Sequence, residues 1–215
     1  MNSRSLMQGT AMDSADTSPS EERALPGGEA ARANLYALIG RLFYDAPDEL
    51  LLATISRSNP DGDDGPLGAA WNELREACRT AFPVVLKQEF DNLFIGVGKS
   101  AITPYTSHYV KGTSPAHHLV RLRELMTEWE LGRRDAASEP EDHVSGICDV
   151  MRYLVSSGCS FDQQEMFFKE FAGPGIESIC DLIVRSPNAM FYKCVAQFAA
   201  AFVAVEKTGF ELSDG

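Results

Sequence analysis

From residue 29 onward, apolar residues at helical spacing alternate with punctuated polar stretches. Leu35, Leu38, Ile39, Leu42 and Phe43 recur at i, i+3, i+4, i+7 and i+8, which puts them on one face of a helix. Asp45-Ala46-Pro47 stops that helix, because the residue before a proline avoids the helical region. A short helix over 48–55 and a turn-rich loop over 59–66 follow. Helix resumes through Trp71, Leu74 and Cys78. After Phe82-Pro83 it resumes again through Leu86, Phe90, Leu93 and Phe94. Residues 96–116 hold Gly and Pro near their ends and Tyr, Thr and Ser between, and predict an irregular segment. Leu119, Leu122, Leu125, Met126 and Trp129 mark a long helix, and a linker follows at 132–138. Val144, Ile147, Cys148, Met151, Leu154 and Val155 stripe a helix from about Pro140 to Val155, with Pro140 in the first turn, where its missing N–H costs nothing. Three further segments follow: 163–171, a stripe of Ile176, Ile179, Cys180, Ile183 and Val184, and one carrying Phe191, Val195, Phe198, Phe202 and Val205.

No stretch alternates as a strand and no repeat is present. The fold class is therefore all-α: one globular bundle of about eight to ten helices, its two halves joined by a hinge over 132–139. Residues 1–28 are poor in large apolar side chains and predict a disordered N-terminal tail. The helical domain spans 29–206, with a C-terminal tail over 207–215. A chain of 215 residues suits one such domain. The two halves imply a monomer with a domain-swapped homodimer fraction.

Charge narrows the choice of partner. Thirty-one Asp and Glu against 19 Lys and Arg give a net charge of −12. That balance disfavours a nucleic-acid backbone and favours a cationic partner. Between Asp45 and Glu76, eight acids face only Arg57 and Arg75. The longest apolar runs fall short of the roughly 20 residues a membrane span needs. Five cysteines without a Cys-x-x-Cys pair, and no apolar segment at the N-terminus, imply a reduced, cytoplasmic protein.

Several chemistries fail on spacing. Gly96-Val97-Gly98-Lys99-Ser100 resembles the end of a phosphate-binding loop, but the required first glycine is Leu93 and Pro104 follows where a helix is needed. A GTP-binding helical switch is kept as the alternative function, beside a purely structural helical subunit. His108, His117, His118 and His143 lack the spacing of a zinc site, so no metal is expected. Ser107, Asp142 and His143 are the residue types of a hydrolytic triad, but without a nucleophile elbow. No catalytic residue and no cofactor are therefore expected. Arg133-Arg134 precedes an acidic stretch rather than an apolar one, and reads as a solvated helix end.

Two constellations remain. One is Glu89-Phe90-Asp91-Asn92-Leu93-Phe94 followed by Pro104-Tyr105-Thr106-Ser107-His108-Tyr109; the other is Glu139-Pro140-Glu141-Asp142-His143. Carboxylates crowd a helix start in the second, where the dipole favours them, and Ser138-x-x-Glu141 fits a capping box. His143 titrates near neutrality, and its neighbouring carboxylates are expected to raise its pKa.

Together these segments resemble the TorD/DmsD family of redox-enzyme maturation chaperones. The resemblance lies in E-(Y/F)-x-x-L-F at 89–94, P-Y-x-S-x-Y at 104–109, an intact E-P-x-D-H at 139–143 and the F-Y pair Phe191-Tyr192. Their order and spacing agree over about 29–206. One departure is Phe171-Ala172-Gly173-Pro174-Gly175, where many members carry H-L-x-P-W. The resemblance implies a cytoplasmic, cofactor-free chaperone. It would bind an apo molybdoenzyme of the dimethyl-sulfoxide-reductase type, often through its twin-arginine leader peptide, and hold it for molybdopterin insertion before export or assembly. On motif position and residue chemistry, the peptide site includes Trp71 and Phe94 for apolar contact, Tyr105 and Ser107 for hydrogen bonds, and Glu139, Pro140, Asp142 and His143. Asp142 supplies charge for an arginine.

Overall fold

The computed structural model describes residues 27–58, 65–96, 100–131 and 139–213. Of the tail expected over 1–28, residues 1–26 lie outside the described residues, as do 59–64, 97–99, the linker at 132–138 and 214–215, whereas Gly27 and Gly28 already belong to the first helix. Among the described residues there are nine α-helices and no strand: α1 (Gly27–Tyr44), α2 (Glu49–Arg57), α3 (Pro66–Thr80), α4 (Pro83–Phe90), α5 (Pro115–Glu128), α6 (Val144–Ser156), α7 (Phe161–Phe167), α8 (Gly173–Arg185) and α9 (Phe191–Ser213).

Local chemistry sets the helix starts. Prolines open α3, α4 and α5. Asp48 caps α2 by accepting from Leu51 N–H at 2.8 Å, and Ser160 with Gln163 forms a capping box on α7. The apolar stripes then dictate the packing. Tyr36, Ile39, Leu42 and Phe43 of α1 are buried, as are Ile147, Cys148, Met151, Leu154 and Val155 of α6, and the two helices lie against each other. A Cβ on Gly40 would stand 3.1 Å from the Cys148 Cβ, so a larger residue here would push the two helices apart by a few tenths of an ångström. Helix α9 packs on α3 and α8, so the second half covers the first within one chain.

The structure corrects three boundaries. Helix α9 runs seven residues past 206, where a tail is expected, because Phe210 is fully buried against Phe161 and Phe168. The segments expected at 163–171 and 176–184 are one continuous helical run. A π-turn at Phe168–Ala172 joins α7 to α8, with Gly173 N–H donating to Phe168 O. The wider turn absorbs Pro174, which has no N–H to give. Helix α6 begins at Val144 rather than Pro140, because the backbone at 142–144 is engaged elsewhere, as described below. Of the expected Ser138/Glu141 capping box, Ser138 lies outside the described residues and Glu141 precedes the helix, whose N-cap is His143.

Two of the sequence motifs meet in the core. Glu89 accepts the N–H groups of Met190 (2.8 Å), Phe191 (3.2 Å) and Tyr192 (2.9 Å), so a carboxylate of α4 caps the positive end of α9. Tyr192 and Phe94 stack edge to face at 5.3 Å, within a group that includes Phe43 and Phe90. Glu89→Ala should cost about 1.5–3 kcal/mol, the loss of charge-assisted bonds to a helix start. Urea denaturation followed by circular dichroism tests this; an unchanged midpoint would mean that α9 does not need the cap.

Candidate functional site

The irregular segment at 100–114 folds back onto the residues before α6. Thr106 N–H donates to Asp142 O at 2.8 Å, and Val144 N–H donates to Pro104 O at 3.0 Å. Tyr105 and His143 thus form an isolated antiparallel bridge. A single 3-10 turn, Thr106–Tyr109, follows it. Side chains reinforce the clasp. Ser107 Oγ donates to the Asp142 carboxylate, Thr106 Oγ1 donates to Asp142 O at 3.2 Å, and Tyr105 Oη donates to Glu139 Oε2 at 2.8 Å. Thr106, Ser107, Asp142 and His143 are all buried. A Cβ on Gly175 of α8 would stand 2.4 Å from the Thr106 Cβ, so this glycine is what allows the clasp to seat on α8.

His143 is the N-cap of α6. Its Nδ1 accepts Ser145 N–H at 3.1 Å and lies 2.7 Å from Ser145 Oγ. No Ser–His–Asp relay forms, because Ser107 bonds Asp142 directly and the imidazole bonds Ser145. Burial holds His143 below its ordinary pKa and outweighs Glu139 and Asp142, which act in the opposite direction. The expectation that the carboxylates raise it is therefore overturned: at 4% exposure the cost of desolvating an imidazolium wins. His118 of α5, packed 4.9 Å from Phe171, is lowered for the same reason, against Glu170 and Asp142. Burial, then the hydrogen bond to Glu139, pushes the Tyr105 hydroxyl up to about 12.

Beside the clasp lies an open groove of about 810 Å3. Ala37, Gly40, Arg41 and Tyr44 of α1 form one side, and Ser145, Gly146, Asp149, Val150, Arg152, Tyr153 and Ser156 of α6 the other. Met126, Glu130 and Leu131 at the end of α5, with Glu139, Pro140 and Glu141, complete it. Tyr44 and Tyr153 are each 49% exposed. Four carboxylates line the groove, Glu130, Glu139, Glu141 and Asp149, against the two guanidiniums of Arg41 and Arg152. Glu141 is held by Arg123, at 2.9 and 3.1 Å.

The residues expected at the site separate into two groups. Tyr105, Ser107, Glu139, Pro140, Asp142 and His143 come together in the clasp. Trp71 packs on Phe198 at 5.1 Å and Phe94 is 5% exposed, so both serve the core. Asp142, 4% exposed and bonded by Ser107, faces inward rather than into the groove. The groove-lining Tyr44, Glu130, Asp149 and Tyr153 were not singled out by the sequence. Tyr44, Asp149 and Tyr153 had a signal, as residues on the outer edges of the α1 and α6 stripes; Glu130, just past the end of α5, had none. Among the described residues no group of His, Cys, Asp and Glu is placed to hold a metal ion, and no helix is long and apolar enough to cross a membrane.

The model of a family described as nitrate reductase delta subunit matches residues 60–181. No curated protein matches the chain. A solved structure of a redox enzyme maturation protein from Archaeoglobus fulgidus is 23% identical, covers 82% of this chain and 93% of its own, and has a TM-score of 0.49.

Two outcomes are expected. Gly175→Ala should cost about 1–3 kcal/mol by overpacking against Thr106; a neutral effect in thermal melts would show that the clasp can shift. The second concerns pH. The unfolded chain protonates its histidines at about 6.5. The folded chain takes up protons on His118 and His143 only at lower pH, so their contribution to stability is complete above about pH 6.5 and is lost as pH falls through the lowered folded values. Urea midpoints between pH 7.5 and 5.5 should decline, and less steeply in His118→Gln and His143→Gln. A rise toward pH 5.5 would mean that the carboxylates prevail.

Proposed function

The chain belongs to the nitrate reductase delta subunit family of TorD-type maturation chaperones, and from that premise we propose that its groove receives the leader peptide of an apo molybdoenzyme. The observation that carries this reading is the combination found along α1 and α6: half-exposed aromatic walls, a floor of small residues, and a surplus of carboxylates beside the Glu139–His143 segment. A leader has a basic end and an apolar run, and such a groove complements both. In this reading Tyr44, Tyr153, Val150 and Met126 make the apolar contacts first assigned to Trp71 and Phe94. The charge first assigned to Asp142 comes from the groove carboxylates, while Tyr105, Ser107, Asp142 and His143 position Glu139 and Pro140 at the rim. The chaperone then holds the client for molybdopterin insertion before export or assembly, in the cytoplasm. This is binding work, and it needs no cofactor on the chaperone.

The test is calorimetric titration of a synthetic twin-arginine leader peptide from a molybdoenzyme of the dimethyl-sulfoxide-reductase type. Tyr153→Ala and Tyr44→Ala should each weaken binding about five- to thirtyfold, the loss of about 1–2 kcal/mol of aromatic contact. Melting temperatures should stay nearly constant, since both side chains are half exposed. Binding that survives both substitutions would place the peptide elsewhere on the molecule.

A further inference from the structure

Helix α5 ends in a way that its sequence disfavours. Trp129 is the C-cap. Glu130 N–H donates to Thr127 O at 3.1 Å and Leu131 N–H to Met126 O at 2.8 Å, the two bonds of a Schellman motif. The residue between them must be left-handed, and Glu130 has φ +55°, the only positive φ on a non-glycine residue among the described residues. Glycine fits that position without strain; glutamate does not. The site is unfavourable in a second way, because a carboxylate at a helix C-terminus opposes the dipole. The Glu130 carboxylate does not compensate, as it makes no hydrogen bond or ion pair among the described residues. Its side chain instead lines the groove, with Met126 and Leu131 of the same turn.

We propose that Glu130 is a specificity-determining residue of the groove, its carboxylate presented by a strained helix end to the cationic residues of the client peptide. The left-handed turn carries its side chain off the end of α5, to a wall of the groove that neither α1 nor α6 supplies. Asp149 lines the α6 side, so the groove presents carboxylates from two elements. The inference rests on the reading of the groove as a peptide site and adds which residue discriminates among peptides.

The strain makes the test discriminating, because removing the glutamate should stabilise the fold while weakening binding. Glu130→Gly should raise the melting temperature by about 2–4 °C. Both Glu130→Gly and Glu130→Gln should weaken binding of the leader peptide about three- to tenfold, most strongly at low salt, as for a partly screened ion pair. Neither should change binding of the same peptide with its arginines replaced by glutamine. Equal losses for both peptides, unaltered affinity for the arginine peptide, or no gain in stability for Glu130→Gly would overturn the proposal while leaving the groove intact. A wild-type chain that binds neither peptide, or binds both regardless of Tyr153→Ala, would instead overturn the reading of the groove, and this inference with it.

Discussion

The site depends on one buried carboxylate. Asp142 receives Ser107 at its side chain and Thr106 at its carbonyl, from both N–H and Oγ1. These bonds tie a segment without regular structure to the start of α6. A buried carboxylate is costly unless its acceptor sites are filled, and filling them here requires the 3-10 turn to stay where it is. The clasp in turn sets where α6 can begin. The N–H groups of Val144 and Ser145 go to Pro104 O and His143 Nδ1, so the first turn is satisfied without Glu141 or Pro140. Those residues are thereby left at the rim of the groove.

Close approach is the second constraint. Gly175 admits Thr106, Gly40 admits Cys148, and a Cβ on Gly146 would lie 2.8 Å from Glu141 O. Each glycine sits where one half of the chain touches the other, or where the clasp turns into α6. Small residues along α1 and α6 bring the two helices together at their cores and leave a shallow floor outside. The same feature that tightens the core therefore opens the groove, and a larger side chain at any of these positions would alter both.

The helices were legible because their apolar stripes decide burial almost alone: Leu42, Phe43, Ile147 and Met151 were expected inside and are inside. The motif pairs were legible as motifs but not as contacts. Glu89 with Phe191-Tyr192, and Pro104–Tyr109 with Glu139–His143, are joined by hydrogen bonds across long sequence separations that periodicity does not carry. Three features depended on tertiary context. The π-turn at Phe168–Ala172 hides where Gly173-Pro174-Gly175 spells a break. Phe94 reads equally as contact or core until Phe43, Phe90 and Tyr192 surround it. The pKa of His143 has its sign decided by burial, whereas the sequence displays only the carboxylates beside it.

Burial also lets one short motif both cap a helix and line a groove. A neutral imidazole accepts the Ser145 N–H; a protonated one has no lone pair at Nδ1 and adds positive charge to the positive end of a helix. Burial, which lowers the His143 pKa, therefore protects the cap at neutral pH. The acids that flank it do different work. Asp142 faces inward and holds the clasp, Glu139 takes the Tyr105 hydroxyl at the rim, and Glu141 is reached by Arg123. Residues 139–141 line the groove while Asp142 and His143 turn into the interior, so one segment serves both at once. Loss of charge at Asp142 should thus be felt first as loss of the clasp, whereas under the proposed function any charge recognition by the groove falls to residues that the fold leaves exposed.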